Sequence, residues 1–234
     1  MTETMTDETA RWTALTEAED KALTLFDAIE AAGIIAPGRS ERQVDDDIAA
    51  LALEKFGIER HWHQCNVRAG ANTVTTFHDK PPLRVIEAED TVYVDLGPVF
   101  EAWEADVGRT YAVGERAEKH ALVSALDTVF EAVRAEATPD MTGAALYALA
   151  CDTADAHGYH FGGAIAGHVV AEYPHAVWPG DKDHQRIGPA NPTRLSDPDP
   201  FGRPRHWILE IHLLEPGRTW GGFYERLLRG VGRV

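Results

Sequence analysis

Residues 91–110 read Thr91-Val-Tyr-Val-Asp-Leu-Gly-Pro-Val-Phe-Glu-Ala-Trp-Glu-Ala-Asp-Val-Gly-Arg-Thr110. The first six residues are rich in β-branched and aromatic side chains, the composition of a strand, yet Asp95 sits inside that apolar run. Asp106 lies in a second short piece, and about ten residues between the two acids can turn the chain back. Two strand carboxylates facing each other are expected. The end of the chain repeats the arrangement: Trp207-Ile-Leu-Glu-Ile-His-Leu-Leu214, a Glu-Pro-Gly turn, then Gly222-Phe-Tyr-Glu-Arg-Leu-Leu228 read as a β-hairpin. A turn centred between Gly217 and Arg218 places Glu210 opposite Glu225. Four carboxylates in one place repel one another unless cations neutralise them, so a pair of hard or borderline divalent metals is the natural resolution. One imidazole completes such a set and leaves positions open for water. Gly162-Gly-Ala-Ile-Ala-Gly167 lets the backbone pack closely just before His168, which makes His168 the nitrogen ligand of choice.

Outside these segments the chain alternates helical and extended patterns. Trp12, Leu15, Leu23, Phe26 and Ile29 share one helical face, and Pro37-Gly38 punctuates the turn that follows. Ser40-Glu-Arg-Gln43 has the form of a capping box and Gly57 that of a stop, which predicts a helix over 41–56. From His61 to Gly114 the pattern is of short strands, including 72–78 and 91–96. Leu122, Leu126, Val129 and Val133 mark a third helix; Ala145, Leu146, Leu149 and Ala150 mark a fourth that ends near His157-Gly158. Trp178–His206 holds six of the 13 prolines without periodicity and reads as a long loop.

Composition bounds the function. The 234 residues are 44% hydrophobic, enough for a sizeable core, and carry 22 basic against 38 acidic residues, a net charge of −16. That sign disfavours nucleic acid and anionic membrane surfaces as partners. The acidic start and the lack of a long apolar run point to a soluble, cytoplasmic chain. Two cysteines, Cys65 and Cys151, make neither a disulfide framework nor a thiolate zinc site.

The order His78, Asp95, Asp106, His168, His175, Glu210, Glu225, with Pro37-Gly38 and Asp106-Val-Gly-Arg-Thr110, resembles the pita-bread metallopeptidases, the family of methionine aminopeptidase, aminopeptidase P, prolidase and creatinase. The resemblance runs from about residue 20 to the end. It implies an α+β pita-bread fold, two pseudo-twofold-related α/β halves with antiparallel sheets and outer helices. The expected organisation is one stand-alone catalytic domain over 1–234, with an extension at 1–20 and the Pro-rich loop 178–206 near the active site. Carried over residue by residue, the resemblance has Asp95 chelate one metal, Asp106 and Glu225 bridge two, and His168 and Glu210 complete the second sphere. The two ions would be Mn, Co, Fe or Zn, with Mn favoured. A water bridging two cations is acidic enough to supply hydroxide near neutral pH. Glu210 would pass a proton to the leaving nitrogen, and His175, with His78, would contact substrate and its oxyanion. His212 shares a hairpin face with Glu210 and is either a substrate contact, a support or a packed side chain.

The implied activity is release of N-terminal residues by an aminopeptidase or Xaa-Pro-type dipeptidase acting on a short peptide or small amide, as a monomer or homodimer. Two departures keep alternatives open. Family members carry His-Gly-Ile-Gly and His-Glu-x-Pro stretches where this chain has His168-Val-Val-Ala and His175-Ala-Val-Trp-Pro179. Bulky Val169 and Val170 are therefore expected to narrow the pocket, and a creatinase-like hydrolase or lyase of a small C–N substrate is a second reading. A non-catalytic binding module is a third. His184, Arg186, Arg194, Arg203 and Arg205 read either as a solvated basic face or as a clamp for a substrate carboxylate.

Overall fold

The computed structural model describes residues 8–231. Helix α1 (Glu8–Ala31) buries Leu15, Ala22, Leu25, Phe26 and Ile29, the face that the spacing predicts. Of the extension expected over 1–20, residues 1–7 lie outside the described residues, and the remainder is the first half of α1. Two of its charged side chains, Arg11 and Glu19, enter the interior because each has a partner there. Glu19 accepts hydrogen bonds from the Leu227 backbone N–H at 2.7 Å and from Arg226 Nε at 3.0 Å. Arg11 donates from Nε to Glu172 at 3.1 Å. Helix α2 (Glu41–Phe56) begins at the predicted box: Ser40 Oγ accepts from the Gln43 N–H at 3.2 Å, and Gln43 Oε1 accepts from the Ser40 N–H at 2.9 Å.

Strands β1 (Asn66–Ala69), β2 (Thr91–Leu96), β3 (Val99–Phe100), β4 (Trp103–Glu104) and β5 (Val107–Ala112) follow, then helices α3 (Ala117–Glu136) and α4 (Gly143–Ala156). Short strands β6 (His160–Phe161) and β7 (Val169–Val170) and the long β8 (His206–Leu214) and β9 (Gly221–Leu227) close the fold. The expected strand at 72–78 does not form; residues Gly70–Val74 make a 3-10 turn instead. Local side chains there compete with any ladder, since Thr73 Oγ1 donates to the Gly70 carbonyl at 2.6 Å and Thr75 Oγ1 to that of Asn72 at 2.7 Å.

The main sheet is antiparallel in the order β1-β2-β5-β9-β8-β6, with β7 also on β8. That order is symmetric about the β5/β9 contact: two helices and then three strands from each half of the chain. One apolar cluster gathers Phe26, Ile48 and Val94 beneath α1 and α2, and a second gathers Leu126, Leu146 and Leu209 beneath α3 and α4. The halves meet where Gly108 pairs with Glu225. Glu210 lies opposite Glu225, as the hairpin arithmetic requires. Asp95, however, lies opposite Gly108, and Leu96 opposite Val107. Asp106 thus falls one rung beyond the ladder, across from Gly97, and shares a face with Asp95 at an offset of two residues rather than directly opposing it. The expected loop Trp178–His206 contains one 3-10 turn, Asp183–Gln185, and no strand before its last residue, His206, which opens β8.

Gly167 fixes how the chain enters β7. Its φ is +137°, and a Cβ there would stand 2.0 Å from the Ile208 carbonyl oxygen. Gly158 also has a positive φ, +81°, but nothing lies within 4 Å of a Cβ built on it. Gly167→Ala should therefore cost about 2–5 kcal/mol, left-handed strain plus overpacking, and lower Tm by roughly 5–15 °C. Gly158→Ala should cost only the strain, about 1–2 kcal/mol. Thermal melts of both variants followed by circular dichroism check the ranking; equal losses would contradict it.

Candidate metal centre

The sheet brings the five predicted side chains together. Asp95 comes from β2, Asp106 from the residue before β5, Glu210 from β8, Glu225 from β9 and His168 from the residue before β7. His168 Nε2 lies 2.9 Å from Asp106 Oδ2, 3.7 Å from Glu210 Oε1 and 3.9 Å from Glu225 Oε1. A sixth group joins them that the sequence reading did not select. His63 Nε2 lies 3.1 Å from Asp106 Oδ1 and 3.4 Å from Asp95 Oδ1. Each Asp106 oxygen therefore faces one imidazole. The possible ligand atoms form two groups that share Asp106, one of His63, Asp95 and Asp106 and one of Asp106, His168 and Glu225.

Burial sets the charge state. Asp95, Asp106 and Glu225 are almost wholly enclosed, so each ionised carboxylate loses its water and repels its neighbours. Burial pushes Asp95 up to about 7, with the His63 charge opposing and that of Asp106 adding to the rise. Glu210 is likewise pushed up to about 7 by burial, against the pull of His168 and with Asp106 and Asp95 reinforcing it. Glu225 is driven well above the carboxylate range by burial and by Asp106, Asp95 and Glu210. Asp106 alone goes the other way: although burial opposes it, hydrogen bonds from His168 and His63 hold it at about 2. The imidazoles answer in kind, His63 raised to about 10 and His168 to about 9 by their carboxylates despite burial. Asp95 Oδ1 and Glu225 Oε2 are buried without a hydrogen-bond partner. Oxygens left in that state, in a set of four carboxylates and two imidazoles, are what divalent cations satisfy, so the residues present fit a metal centre.

The centre floors a cavity of about 450 Å³ whose apolar wall includes Trp62, Phe77, Tyr93, Ile165 and Phe223. His78 lines its mouth and is exposed, its ring edge-on to Phe77. His175 is buried and stacks on His168 with ring centroids 5.8 Å apart. Its Nδ1 bonds the Glu104 carboxylate, which also accepts the His175 backbone N–H at 3.1 Å. His212 donates from Nε2 to the Thr73 carbonyl at 2.7 Å, and its pKa is lowered by burial, so it meets the cavity as a neutral ring.

The expected narrowing by Val169 and Val170 does not occur. Both point into the apolar clusters, and neither lines the cavity, because β7 turns them away to pair with β8. Of the basic residues proposed for a clamp, Arg186 lines the cavity, together with Lys182. Arg203 is held by Glu172 and Asp199, Arg205 by the His184 carbonyl, and Arg194 faces Asp140. The sequence did carry a sign of the missed groups. His61-Trp-His63 runs into a strand three residues later, and Glu104 shares the parity of Asp106.

A sequence profile of metallopeptidase family M24 matches residues 13–193. Among solved structures, an X-Pro aminopeptidase from Thermotoga maritima aligns with a TM-score of 0.73 at 20% identity, over 98% of this chain and 64% of that one. A prolidase from Thermococcus sibiricus gives 0.68 at 20% identity, over 94% and 60%. A methionine aminopeptidase from Thermotoga maritima gives 0.67 at 17% identity, over 94% and 93%. The chain thus spans about 60% of the length of the prolidase and nearly all of the methionine aminopeptidase. No curated protein matches it in sequence. The α+β architecture is the pita-bread fold of these structures, and no helix among the described residues is long and apolar enough to cross a membrane. With a profile that spans most of its length and a fold that agrees, this chain belongs to metallopeptidase family M24.

Proposed function

We propose that this chain is a two-metal hydrolase that releases N-terminal residues from short peptides, of aminopeptidase or Xaa-Pro dipeptidase type. The observation that carries the reading is the convergence of four carboxylates and two imidazoles, with buried oxygens lacking partners, on the floor of a cavity sized for a small ligand. Asp95, Asp106 and Glu225 would hold one divalent cation, and Asp106, Glu225, His168 and Glu210 a second; the oxygen-rich set would favour Mn(II). Bound there, such ions polarise a carbonyl and lower the pKa of water.

The chain's own groups supply the rest. Glu210, on the cavity floor beside His168, can take a proton and return it to the leaving nitrogen. The Glu104 carboxylate locks the His175 ring, leaving Nε2 as the atom that meets a substrate carbonyl oxygen. Trp62, edge-on to His63 and His168 and against His175, keeps bulk water off all three rings. Arg186 stands at the cavity wall as the cationic counterpart of a peptide C-terminal carboxylate, beside Lys182, whose ammonium is tied to the Ala176 and Trp178 carbonyls; this favours substrates of two or three residues.

Protein loaded with Mn(II) should release the first residue from members of a Met-Ala-x, x-Pro and x-Pro-x peptide panel, followed by mass spectrometry. Glu210→Gln should reduce kcat by about 10²–10⁴-fold with an unchanged circular dichroism spectrum. Two bound metals without cleavage of any peptide would overturn the peptidase assignment and favour a small C–N substrate.

The metal-free protein should also respond to pH in a defined direction. His63, His168 and Glu225 all have folded pKa values above their unfolded ones, so the stability they lend is present at low pH and lost as pH rises through those values. His61, His206 and His212 are lowered and act oppositely, but only below their ordinary value of 6.5. Tm of the metal-free chain should therefore fall between pH 7 and 9, and excess Mn(II), which displaces these protons, should flatten the slope. A Tm that rises over this interval would contradict the charge states given above.

A further inference from the structure

We propose that His63 is a metal ligand, a nitrogen donor to the cation position formed by Asp95 and Asp106, so that the centre has six protein ligands with one imidazole at each position. The inference rests on the two-metal reading above and adds a residue to it.

Its first support is the direction of the ring. His63 Nδ1 lies 2.7 Å from the carbonyl of Gln64, which only accepts, so Nδ1 keeps a proton and Nε2 is the atom turned toward Asp95 and Asp106, free to offer a lone pair once a cation displaces its own proton. His168 is built identically: Nδ1 lies 2.8 Å from the Val169 carbonyl, and Nε2 faces Asp106 and Glu210. A backbone carbonyl that fixes the tautomer and aims the other nitrogen is the usual support of a ligating histidine. Lone pairs of nitrogen and carboxylate oxygen facing each other are repulsive until a cation or a proton lies between them.

The second support is spacing. Metal–ligand bonds of about 2.0–2.2 Å at roughly right or tetrahedral angles put neighbouring donor atoms about 2.8–3.6 Å apart. His63 Nε2 stands at 3.1 and 3.4 Å from its two carboxylates.

The third support is the path by which His63 arrives. The chain before β1 runs along the end of β2, with the Trp62 N–H bonded to the Gly97 carbonyl at 2.9 Å and the Val99 N–H to that of Arg60 at 2.9 Å. His63 then crosses directly over Gly97, the residue opposite Asp106. A Cβ at Gly97 would stand 2.2 Å from His63 Cδ2 and 2.4 Å from Nε2. The glycine is the opening through which the ring reaches the carboxylates, and its backbone needs no unusual φ to explain it otherwise.

The test uses the full chain loaded with two equivalents of Co(II) and read by proton NMR in H₂O and D₂O. Each cobalt-bound imidazole shows one strongly shifted, exchangeable Nδ1–H resonance. Two such resonances in the wild type, falling to one in His63→Gln and in Gly97→Ala, are expected. The Co(II) affinity of the weaker position should fall at least about tenfold in His63→Gln, and more than its Mn(II) affinity, since nitrogen donors favour cobalt. A single shifted resonance in the wild type, unchanged by His63→Gln, would overturn the proposal, leaving His63 as an imidazolium paired to Asp106 while the two-metal reading stands. Retention of less than one equivalent of Co(II) by the wild type would instead overturn both. Because the wild-type spectrum already decides the question, poor folding of either variant does not rescue the proposal.

Discussion

Asp106 is the residue on which the arrangement turns. It is enclosed at the junction of the two halves, yet it remains ionised because each of its oxygens faces an imidazole. Its three carboxylate neighbours have no such arrangement and are pushed toward their neutral forms. Concentrating negative charge where water is excluded costs several kcal/mol per group when nothing compensates it. The architecture spends its regular elements on holding that charge in place: strands from both halves supply the carboxylates, while irregular edge segments supply the rings. The apolar clusters beneath α1/α2 and α3/α4 are what keep the two sets of strands from moving apart.

Much of this was legible in the sequence because strand parity and hairpin register are strict. Glu210 and Glu225 could be paired from a turn position alone, and the α2 boundaries followed from a cap and a stop. The Asp95–Asp106 register was misjudged by two residues, since β3 and β4 form a small hairpin of their own between the strands and consume part of the connection. The segment at 72–78 has β-prone residues, but its threonine hydroxyls bond carbonyls within the turn, a choice that propensity does not encode. His63 and Glu104 were missed for a different reason. Their importance lies in what they face across the fold; the local signs, a His-Trp-His stretch before a strand and a Glu on the parity of Asp106, do not say what that is.

The departures from the family pattern also read differently in three dimensions. Val169 and Val170 looked like an intrusion into the pocket, but β7 pairing turns both into the core, so the substitution alters packing and leaves the cavity wall alone. Ala176 does line the cavity, so the change at that position is one a substrate would meet. Among the arginines, hydrogen bonding sorts structural from available. Arg203 is committed to Glu172 and Asp199, whereas Arg186 remains at the cavity wall beside Lys182.

The contact between Glu19 and the Leu227 backbone has a mechanical meaning. Glu225 is two residues from that amide, on the same strand, and Glu19 also holds Arg226 and Arg229. The first helix is therefore coupled in series with the strand that carries a central carboxylate. Tension or torque applied at the amino end, by a fused domain or a surface tether, passes through α1 both to the apolar cluster on which that helix packs and, by way of Glu19, to β9. A tag placed at that end can therefore disturb the centre at a distance, and a tether there offers a handle for altering it by force.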